Sequence, residues 1–266
     1  MNDDFERVHA GCPFDAVETI DLHAHRGPYF NMHIAAREPE DMVLVMDRCG
    51  IAKAVLSPNM SWNSDFALAN TMMRQAVAAH PGRLYGACAV NGNYPELSLE
   101  ELERSFEDKR VVMIKVHPSG SQCRLDDRRM SGIYEFAARR KLTILSHTWL
   151  DNDPYGNVDL FADVAKSHPG VSWVMGHSGG PYGSRRAAEL AQAVPNIYLD
   201  ITLSMCPARQ IEFFVREVGS ERVLFGTDNP FIDPRPQVGR VALAKISPEE
   251  KADIFGRNAR RLVRFE

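Results

Sequence analysis

Eight short segments rich in β-branched residues recur along the chain from residue 18 onward, and stretches with helical periodicity lie between them. This alternation is typical of βα units that build a parallel sheet. The predicted strands are ETIDLHAH (18–25), IAKAVLS (51–57), RLYGACAV (83–90), VVMIKVH (111–117), LTILSH (142–147), VSWVMGH (171–177), NIYLDI (196–201) and RVLFGTD (222–228).

The ends of these strands decide between a closed barrel and its alternative, an open doubly wound sheet. An open sheet gathers its ligand groups at one switch point, whereas polar residues end at least five of the predicted strands. Eight units in about 250 residues also match the size of a (β/α)8 barrel. We therefore predict a single-domain α/β protein, a TIM barrel over residues 1–266, with strand one starting at about 18 and a helical tail at about 248–264.

Local signals at helix ends support this reading. Ser64 and Asp65 open the segment SDFALANTMMRQAVAAH as N-cap residues, and Pro81-Gly82 ends it. The segments SHPG (167–170) and AVPN (193–196) end two further helical patterns.

Charge and composition exclude several classes of function. The formal net charge is -4 and no run of Lys or Arg stands out, so the chain lacks the basic surface that nucleic acid requires. No window approaches the roughly 18 uninterrupted apolar residues of a membrane span, and the acidic N-terminus is unlike a signal peptide. Five cysteines without a CxxC pair indicate reduced thiols. We expect a cytoplasmic protein with a small-molecule substrate and no nucleic-acid or membrane partner; a homo-oligomer is left open.

Histidines and one aspartate lie at the C-terminal ends of the predicted strands. They are His23 and His25 on strand one, His117, His147 and His177 on strands four, five and six, and Asp228 on strand eight. A closed barrel brings such ends together. Imidazole nitrogens with a carboxylate oxygen and no thiolate suit zinc or a similar divalent metal, and three or four protein ligands leave a position open for water. The pattern therefore predicts a catalytic metal site.

The segments DLHAH, MIKVHP, ILSHTW, WVMGHSGG and LFGTDNPF, followed by IFGRNARRLVRF, resemble the metal-dependent amidohydrolase superfamily. Within it they resemble the amidohydrolase-2, or amidohydrolase-related, family, and the resemblance covers nearly the whole barrel. It implies four metal ligands, which are His23, His25, His147 and Asp228. By the same resemblance, His177 either completes a second metal site or stands beside the bound water.

Strand four contributes Lys115 and His117, which share one strand face by parity, so both can point toward the site. By the resemblance, a carbamylated lysine on strand four bridges two metals in binuclear relatives. The other reading of Lys115 is a protonated lysine that pairs with a substrate carboxylate or a neighbouring acid. We expect a divalent metal, with zinc favoured over other metals and one ion favoured over two.

Further polar and aromatic residues near strand ends are candidates for supporting roles. Asp21 is expected to accept an N–H from a ligating imidazole and so fix its tautomer. Arg26 is a candidate clamp for a substrate carboxylate. His117, like Lys115, is a candidate for substrate binding, and Asn59, Trp62 and Trp149 follow strand ends and are candidates for the pocket wall. The plain alternatives are a surface ion pair for Arg26 and simple packing for the aromatic residues.

The favoured function is metal-dependent hydrolysis of an amide, lactone or ester bond in a small anionic molecule. A metal-activated water would attack the carbonyl, and Asp228 would take its proton and return it to the leaving group. His177 would stabilise the oxyanion.

Three alternatives stay open. The resemblance also implies non-oxidative decarboxylation of an aromatic or unsaturated acid, a lyase reaction in which the Arg26 clamp matters more. TatD-like nucleases also open with a double histidine, but they expect a glutamate where VVMIKVHP offers Lys115. A metabolite sensor without turnover is the last alternative. An open metal site argues against a purely structural role, because structural zinc is usually enclosed by protein ligands.

Overall fold

The computed structural model describes residues 3–29, 32–34, 38–62, 65–149, 153–202 and 205–266. Its strands form one eight-stranded sheet in chain order, and consecutive strands pair in parallel from the first to the eighth. They are β1 Thr19–Arg26, β2 Ile51–Pro58, β3 Leu84–Ala89, β4 Val111–Val116, β5 Thr143–His147, β6 Ser172–Gly176, β7 Ile197–Asp200 and β8 Val223–Leu224. The fold is a (β/α)8 TIM barrel, as predicted, and the open doubly wound sheet is excluded.

Helices connect these strands and cover the outside of the sheet. They are α1 Asp3–His9, α2 Pro39–Cys49, α3 Phe66–Ala79, α4 Pro95–Ser105, α5 Pro118–Ser121, α6 Ser131–Arg140, α7 Val158–Ser167, α8 Gly180–Ala193, α9 Gln210–Val218, α10 Pro234–Ala242, α11 Pro248–Ala252 and α12 Asn258–Leu262, with a π-helical turn Asp253–Arg257 between the last two. Asp65 caps α3 as predicted, because its side chain accepts the Leu68 N–H at 2.9 Å. Ser64 lies outside the described residues. Among the described helices, none has the length and apolar character needed to cross a membrane.

The barrel closes between β1 and the segment that follows β8. The Leu22 N–H donates to the Phe225 carbonyl at 3.1 Å, and the Asp228 N–H donates to the His23 carbonyl at 2.8 Å. These bonds join the first strand to the last part of the barrel. The two ends of the sheet therefore meet at one seam.

The predicted strand eight (222–228) is wrong at its C-terminal end, since regular pairing stops at Leu224. Gly226 packs so closely on neighbouring residues that a Cβ there would lie 2.7 Å from the His23 Cβ and 2.1 Å from the Thr202 hydroxyl oxygen. Asp228 has a φ of 62°, in the left-handed region that non-glycine residues rarely adopt. This close approach and turn bend the chain inward, and the Asp228 side chain goes with it.

Apolar side chains pack on both faces of the sheet, inside the barrel and between the sheet and the helices. The inner layer fills the barrel with residues such as Leu22, Val55, Met113, Leu145 and Val174. The outer layer packs the helices against the sheet. Each fully buried aliphatic side chain contributes roughly 1.5–3 kcal/mol, so this core holds the strand ends in fixed positions.

Candidate metal centre

Alternate side chains of β1 bring His23 and His25 to the barrel's C-terminal end, where the seam brings Asp228 beside them. His23 is 1% exposed and His25 is 4% exposed. His25 Nε2 lies 3.0 Å from Asp228 Oδ1, and His23 Nε2 lies 3.5 Å from the same oxygen. One ligand atom of each of these residues lies within 4.8 Å of the other two. The structure therefore brings together three of the four ligands expected from the sequence.

The carboxylate of Asp228 is ionised at neutral pH. Burial by itself raises its pKa, but the neighbouring His177, His25 and His23 outweigh that effect and hold the pKa well below its usual range. The side chain therefore has the negative charge that an oxygen ligand or a proton acceptor needs.

Asp200, the last residue of β7, fixes the ring of His23. Its Oδ2 lies 2.7 Å from His23 Nδ1 and also accepts the backbone N–H of His177 at 3.1 Å. Burial, with the nearby Lys115, holds the pKa of His23 well below its ordinary value, so the ring is neutral. With its one proton on Nδ1, facing the carboxylate, the ring presents the Nε2 lone pair, which is the form that a metal ligand needs.

Asp21 was expected to make this imidazole contact, and Asp200 makes it instead. Asp21 Oδ1 accepts the backbone N–H of His23 at 3.0 Å and that of Thr227 at 3.1 Å, while Oδ2 accepts the Thr227 hydroxyl. Burial raises the pKa of Asp21 to about 7. Asp21 thus ties β1 to the segment after β8. Asp200 was missed by sequence reasoning, although an acid ending the apolar segment NIYL was the signal for it.

His177 follows β6 and lies beside both His23 and His147, with ring centroids 4.9 and 4.7 Å away. Its Nδ1 lies 2.9 Å from the Thr202 carbonyl oxygen. Since a carbonyl only accepts, Nδ1 carries a hydrogen, so Nε2 is an acceptor whenever the ring holds a single proton. The oxyanion role expected from the sequence requires both nitrogens to be protonated.

Lys115 points into the centre of the barrel from β4 and is 1% exposed. Its Nζ lies 2.8 Å from His23 Nε2. Burial lowers the pKa of Lys115 to about 8, although the negative charges of Asp228 and Asp200 raise it. Lys115 is thus a buried amine next to the candidate ligands. Its carbamylation and its pairing with a substrate carboxylate both stay predictions.

His147 lies in a stack of three rings. It is nearly parallel to His117 at 4.1 Å, with a 9° angle between the rings, and to Trp149 at 6.0 Å, with a 2° angle. Burial holds its pKa well below the ordinary value, so the ring is neutral. Within the part of the chain that the structure describes, its nitrogens belong to neither group of ligand atoms that lie within 4.8 Å of one another. Its ligand role stays a prediction.

Three aromatic rings, those of Tyr29, Trp62 and Phe231, form a wall beside His25. Trp62 meets the His25 ring edge-on at 5.7 Å, and Phe231 meets it at 4.9 Å. Tyr29 contacts both, at 6.2 Å from Trp62 and 5.1 Å from Phe231. Such faces suit a flat, unsaturated ligand. Phe231 was missed, although it stands only three residues after Asp228 in the loop that leaves the barrel seam.

Two expected substrate-binding residues have protein partners at the rim. The Arg26 guanidinium forms an ion pair with Glu38 at 3.1 Å. Asn59 donates its amide N–H to the Gly27 carbonyl at 2.7 Å, and its Oδ1 is buried without a hydrogen-bond partner among the described residues. The clamp role of Arg26 and the pocket role of Asn59 stay predictions.

These residues fit a divalent cation. Two imidazoles and one carboxylate converge, and Asp200 leaves the lone pair of His23 on the inward nitrogen. Nitrogen and oxygen ligands without thiolate suit zinc, manganese and similar metals. A second group of ligand atoms within 4.8 Å of one another comes from His23, His177 and Asp200, although the Asp200 carboxylate is hydrogen-bonded to His23 Nδ1. The preference for one ion over two stays a prediction.

Solved structures of other proteins share this fold. The uncharacterized TIM-barrel protein Bb4693 from Bordetella bronchiseptica is 16% identical, with 92% of this chain and 98% of that chain covered and a TM-score of 0.75. The 5-carboxyvanillate decarboxylase LigW from Sphingomonas paucimobilis is 17% identical, with coverage of 94% and 100% and a TM-score of 0.73. A dihydroxybenzoic acid decarboxylase from Polaromonas sp. JS666, with bound manganese and the inhibitor 2-nitroresorcinol, is 20% identical, with coverage of 92% and 96% and a TM-score of 0.70.

Sequence comparison gives the family. A search of proteins with curated functions returned no significant match. A family model described as Amidohydrolase matches residues 20–265, which include every candidate ligand and all of the barrel strands except Thr19, the first residue of β1. The chain therefore belongs to the amidohydrolase-related family of enzymes, as its motifs predicted.

Proposed function

We propose that the protein is a metal-dependent lyase that removes CO2, without an oxidant, from a small aromatic or unsaturated carboxylic acid. The observation that carries the proposal is the wall of Tyr29, Trp62 and Phe231 beside His25, because flat apolar faces next to a cation site suit a planar acid. Two structures that share the fold are decarboxylases of aromatic acids, which supports the same choice. The net charge of -4 supports a small-molecule substrate over nucleic acid.

His23, His25 and Asp228 would hold the cation, with His147 as the predicted fourth ligand. A bound divalent cation would supply the positive charge that binds and polarises the oxygens of the substrate. Sequence reasoning favoured zinc, whereas the decarboxylase from Polaromonas holds manganese, so both metals should be tested.

The chain's own residues would orient the acid and move one proton. The aromatic wall would hold the plane of the substrate, and the buried Lys115 would add a positive charge near its carboxylate. Asp228 is the group that we assign to proton transfer. When the bond to the carboxyl carbon breaks, the electron pair stays on the remaining carbon. Asp228 would take one proton from solvent and deliver it there, so that the carboxylate and one proton give CO2 and the protonated carbon.

Hydrolysis is the second candidate, and two observations favour it. Asp228 is ionised, and His177, whose Nδ1 hydrogen faces the Thr202 carbonyl, keeps Nε2 for accepting a proton. Both groups can therefore accept a proton from a water that attacks an amide, lactone or ester carbonyl.

The test is a direct comparison of the two reactions with one equivalent of Mn²⁺ or Zn²⁺ per chain. Hydroxybenzoates and unsaturated dicarboxylic acids labelled with 13C in the carboxyl group would be followed by mass spectrometry of released CO2. Lactones, esters and amides would be followed by the protons released on hydrolysis. We expect labelled CO2 from at least one acid, with Asp228→Asn as the inactive control.

Hydrolysis without CO2 release would replace the proposal with the second candidate. Tight binding of an acid at full metal content, with neither reaction, would instead indicate a sensor.

A further inference from the structure

The indole of Trp62 carries a buried hydrogen-bond donor without a partner. Trp62 is 7% exposed, and its Nε1 has no hydrogen-bond partner among the described residues. A buried indole N–H normally finds an acceptor, and leaving a donor unsatisfied costs roughly 1–3 kcal/mol. The ring contacts His25 and His117, at 5.7 and 4.7 Å between centroids. This unsatisfied donor therefore lies in the wall of the candidate active site.

His117 carries a second donor, on a ring whose centroid lies 4.7 Å from that of Trp62. The backbone N–H of Gly120 donates to His117 Nδ1 at 3.1 Å. Since Nδ1 accepts, the hydrogen of the neutral ring must be on Nε2. His117 is thus opposite in tautomer to His23 and His177, whose Nδ1 atoms face oxygen acceptors. It offers an N–H where they offer a lone pair.

Gly120 fixes both rings at once. Besides donating to His117, it packs on Trp62 so tightly that a Cβ at this position would lie 2.8 Å from the Trp62 Cβ and 2.9 Å from its Cγ and Cδ1. Real Cβ atoms do not approach that closely, so any side chain at position 120 would push the indole away. One backbone position therefore sets the tautomer of His117 and the place of Trp62.

We infer that Trp62 and His117 form a two-donor site that recognises one oxygen of the substrate, with Gly120 as its positioning residue. The ligand class is a planar acid that carries, besides its carboxylate, a hydroxyl or oxo oxygen. The inference rests on the proposed function for the planar acid, and it adds the requirement for that second oxygen. A ligand without the oxygen would leave the indole N–H unpaired and would bind more weakly.

The test measures binding, so it does not depend on turnover. Protein loaded with one equivalent of Zn²⁺ would be titrated calorimetrically with benzoate and with 2-, 3- and 4-hydroxybenzoate. We expect at least one hydroxybenzoate to bind about tenfold more tightly than benzoate. Trp62→Phe keeps a ring and removes the N–H. It should reduce the preference for that hydroxybenzoate over benzoate about tenfold.

Indole resonances of 15N-labelled protein give a second readout. The Trp62 N–H signal should move downfield when the preferred hydroxybenzoate binds. Trp173, whose Nε1 faces the His168 carbonyl away from the site, serves as the internal reference. Gly120→Ala should reduce the same discrimination and alter the Trp62 signal in the free protein. His117→Gln keeps an N–H donor and should retain more of the discrimination than His117→Leu.

Equal weakening of benzoate and hydroxybenzoate by Trp62→Phe would overturn the inference, because the indole would then provide only shape. No preference for any hydroxybenzoate in the wild-type protein, or no binding of the series, would overturn it as well. Discrimination that depends on Trp62 in a protein that releases no CO2 would support the donor pair while removing the decarboxylase proposal. CO2 release with unchanged discrimination in Trp62→Phe would do the reverse.

Discussion

Two pairs of alternate polar side chains, His23 and His25 on β1 and Lys115 and His117 at the end of β4, are held in different ways. On β1, carboxylates lie beside the rings: Asp200 next to His23, and Asp228 next to His25. On β4, Lys115 points inward to His23. His117 stands just past the strand and accepts an N–H from the backbone of the following helix. For His23 and His117, the partner of Nδ1 therefore decides whether Nε2 has a lone pair or a hydrogen.

This difference separates cation binding from substrate recognition. When a carboxylate or carbonyl oxygen accepts the Nδ1 hydrogen of a singly protonated ring, Nε2 keeps its lone pair; His23 and His177 have such Nδ1 partners. When a backbone N–H donates to Nδ1, the ring hydrogen must be on Nε2, as at His117. Imidazoles that look alike in the sequence thus have opposite chemistry. We expect substitutions on the two strands to have different effects.

The largest effect is expected from Asp228→Asn. The amide cannot accept the proton that the reaction moves, so turnover should fall by about a thousandfold or more. Metal content, measured by elemental analysis, should stay near one equivalent because the histidines remain. Activity close to that of the wild type would remove Asp228 from proton transfer.

The next prediction contrasts His23→Ala with His117→Ala. His23 offers a lone pair to the cation, so its loss should reduce bound metal to below about a tenth of an equivalent after dialysis. His117 offers a hydrogen, so its loss should leave the metal content unchanged. Full occupancy in His23→Ala, or metal loss of the same size in both variants, would break the comparison between the strands.

Lys115→Met tests the inward member of the β4 pair in metal-free protein. Burial lowers the pKa of Lys115 from the ordinary 10.5 to about 8. Below pH 8 both folded and unfolded chains hold the proton, so the cost of burying the charge is fully present. From pH 8 to 10.5 only the unfolded chain keeps it, and the free energy of unfolding rises with pH.

Lys115→Met should therefore be more stable than the wild type at pH 7, by up to about 3 kcal/mol. The difference should shrink as the pH approaches 10.5. Urea unfolding at a series of pH values measures it. A constant difference across that range would show that the charge of Lys115 is not the cause.

Asp200→Asn should have a smaller effect on the same cation site. The amide weakens the hold on His23 without removing a ligand, so metal affinity should fall by about 10- to 100-fold. Competition with a metal-binding dye gives the affinity. Asp21→Asn is the matched variant, since Asp21 contacts backbone rather than the imidazole and should change the affinity less.

Much of the fold could be predicted because the barrel repeats one pattern. Each of the eight strands overlaps its predicted segment, and β2 begins at Ile51 as predicted. Strand eight was predicted to be too long. A run of β-branched and apolar residues does not reveal that Gly226 approaches the His23 side chain or that Asp228 has a positive φ. Those features depend on neighbours about 200 residues away in the chain.

The site was predictable as a set of residues and less so as a set of roles. Periodicity placed His23, His25 and Asp228 together, since strand ends converge in a barrel. It could not assign hydrogens to nitrogens, because tautomers depend on tertiary partners such as Asp200 and the backbone of Gly120. The hydrogen-bond partner of each ring comes either from a distant strand or from an adjacent turn. Neither kind of partner produces a recognisable residue spacing in the sequence.

The seam between β1 and the segment after β8 has a consequence for how the protein is made. His23 and His25 emerge from the ribosome about 200 residues before Asp228. A nascent chain that has not yet completed the seam lacks the acidic member of the trio. We therefore expect the cation to bind at full strength only after Asp228 has been synthesised and the barrel has closed, so that binding stabilises closed chains alone.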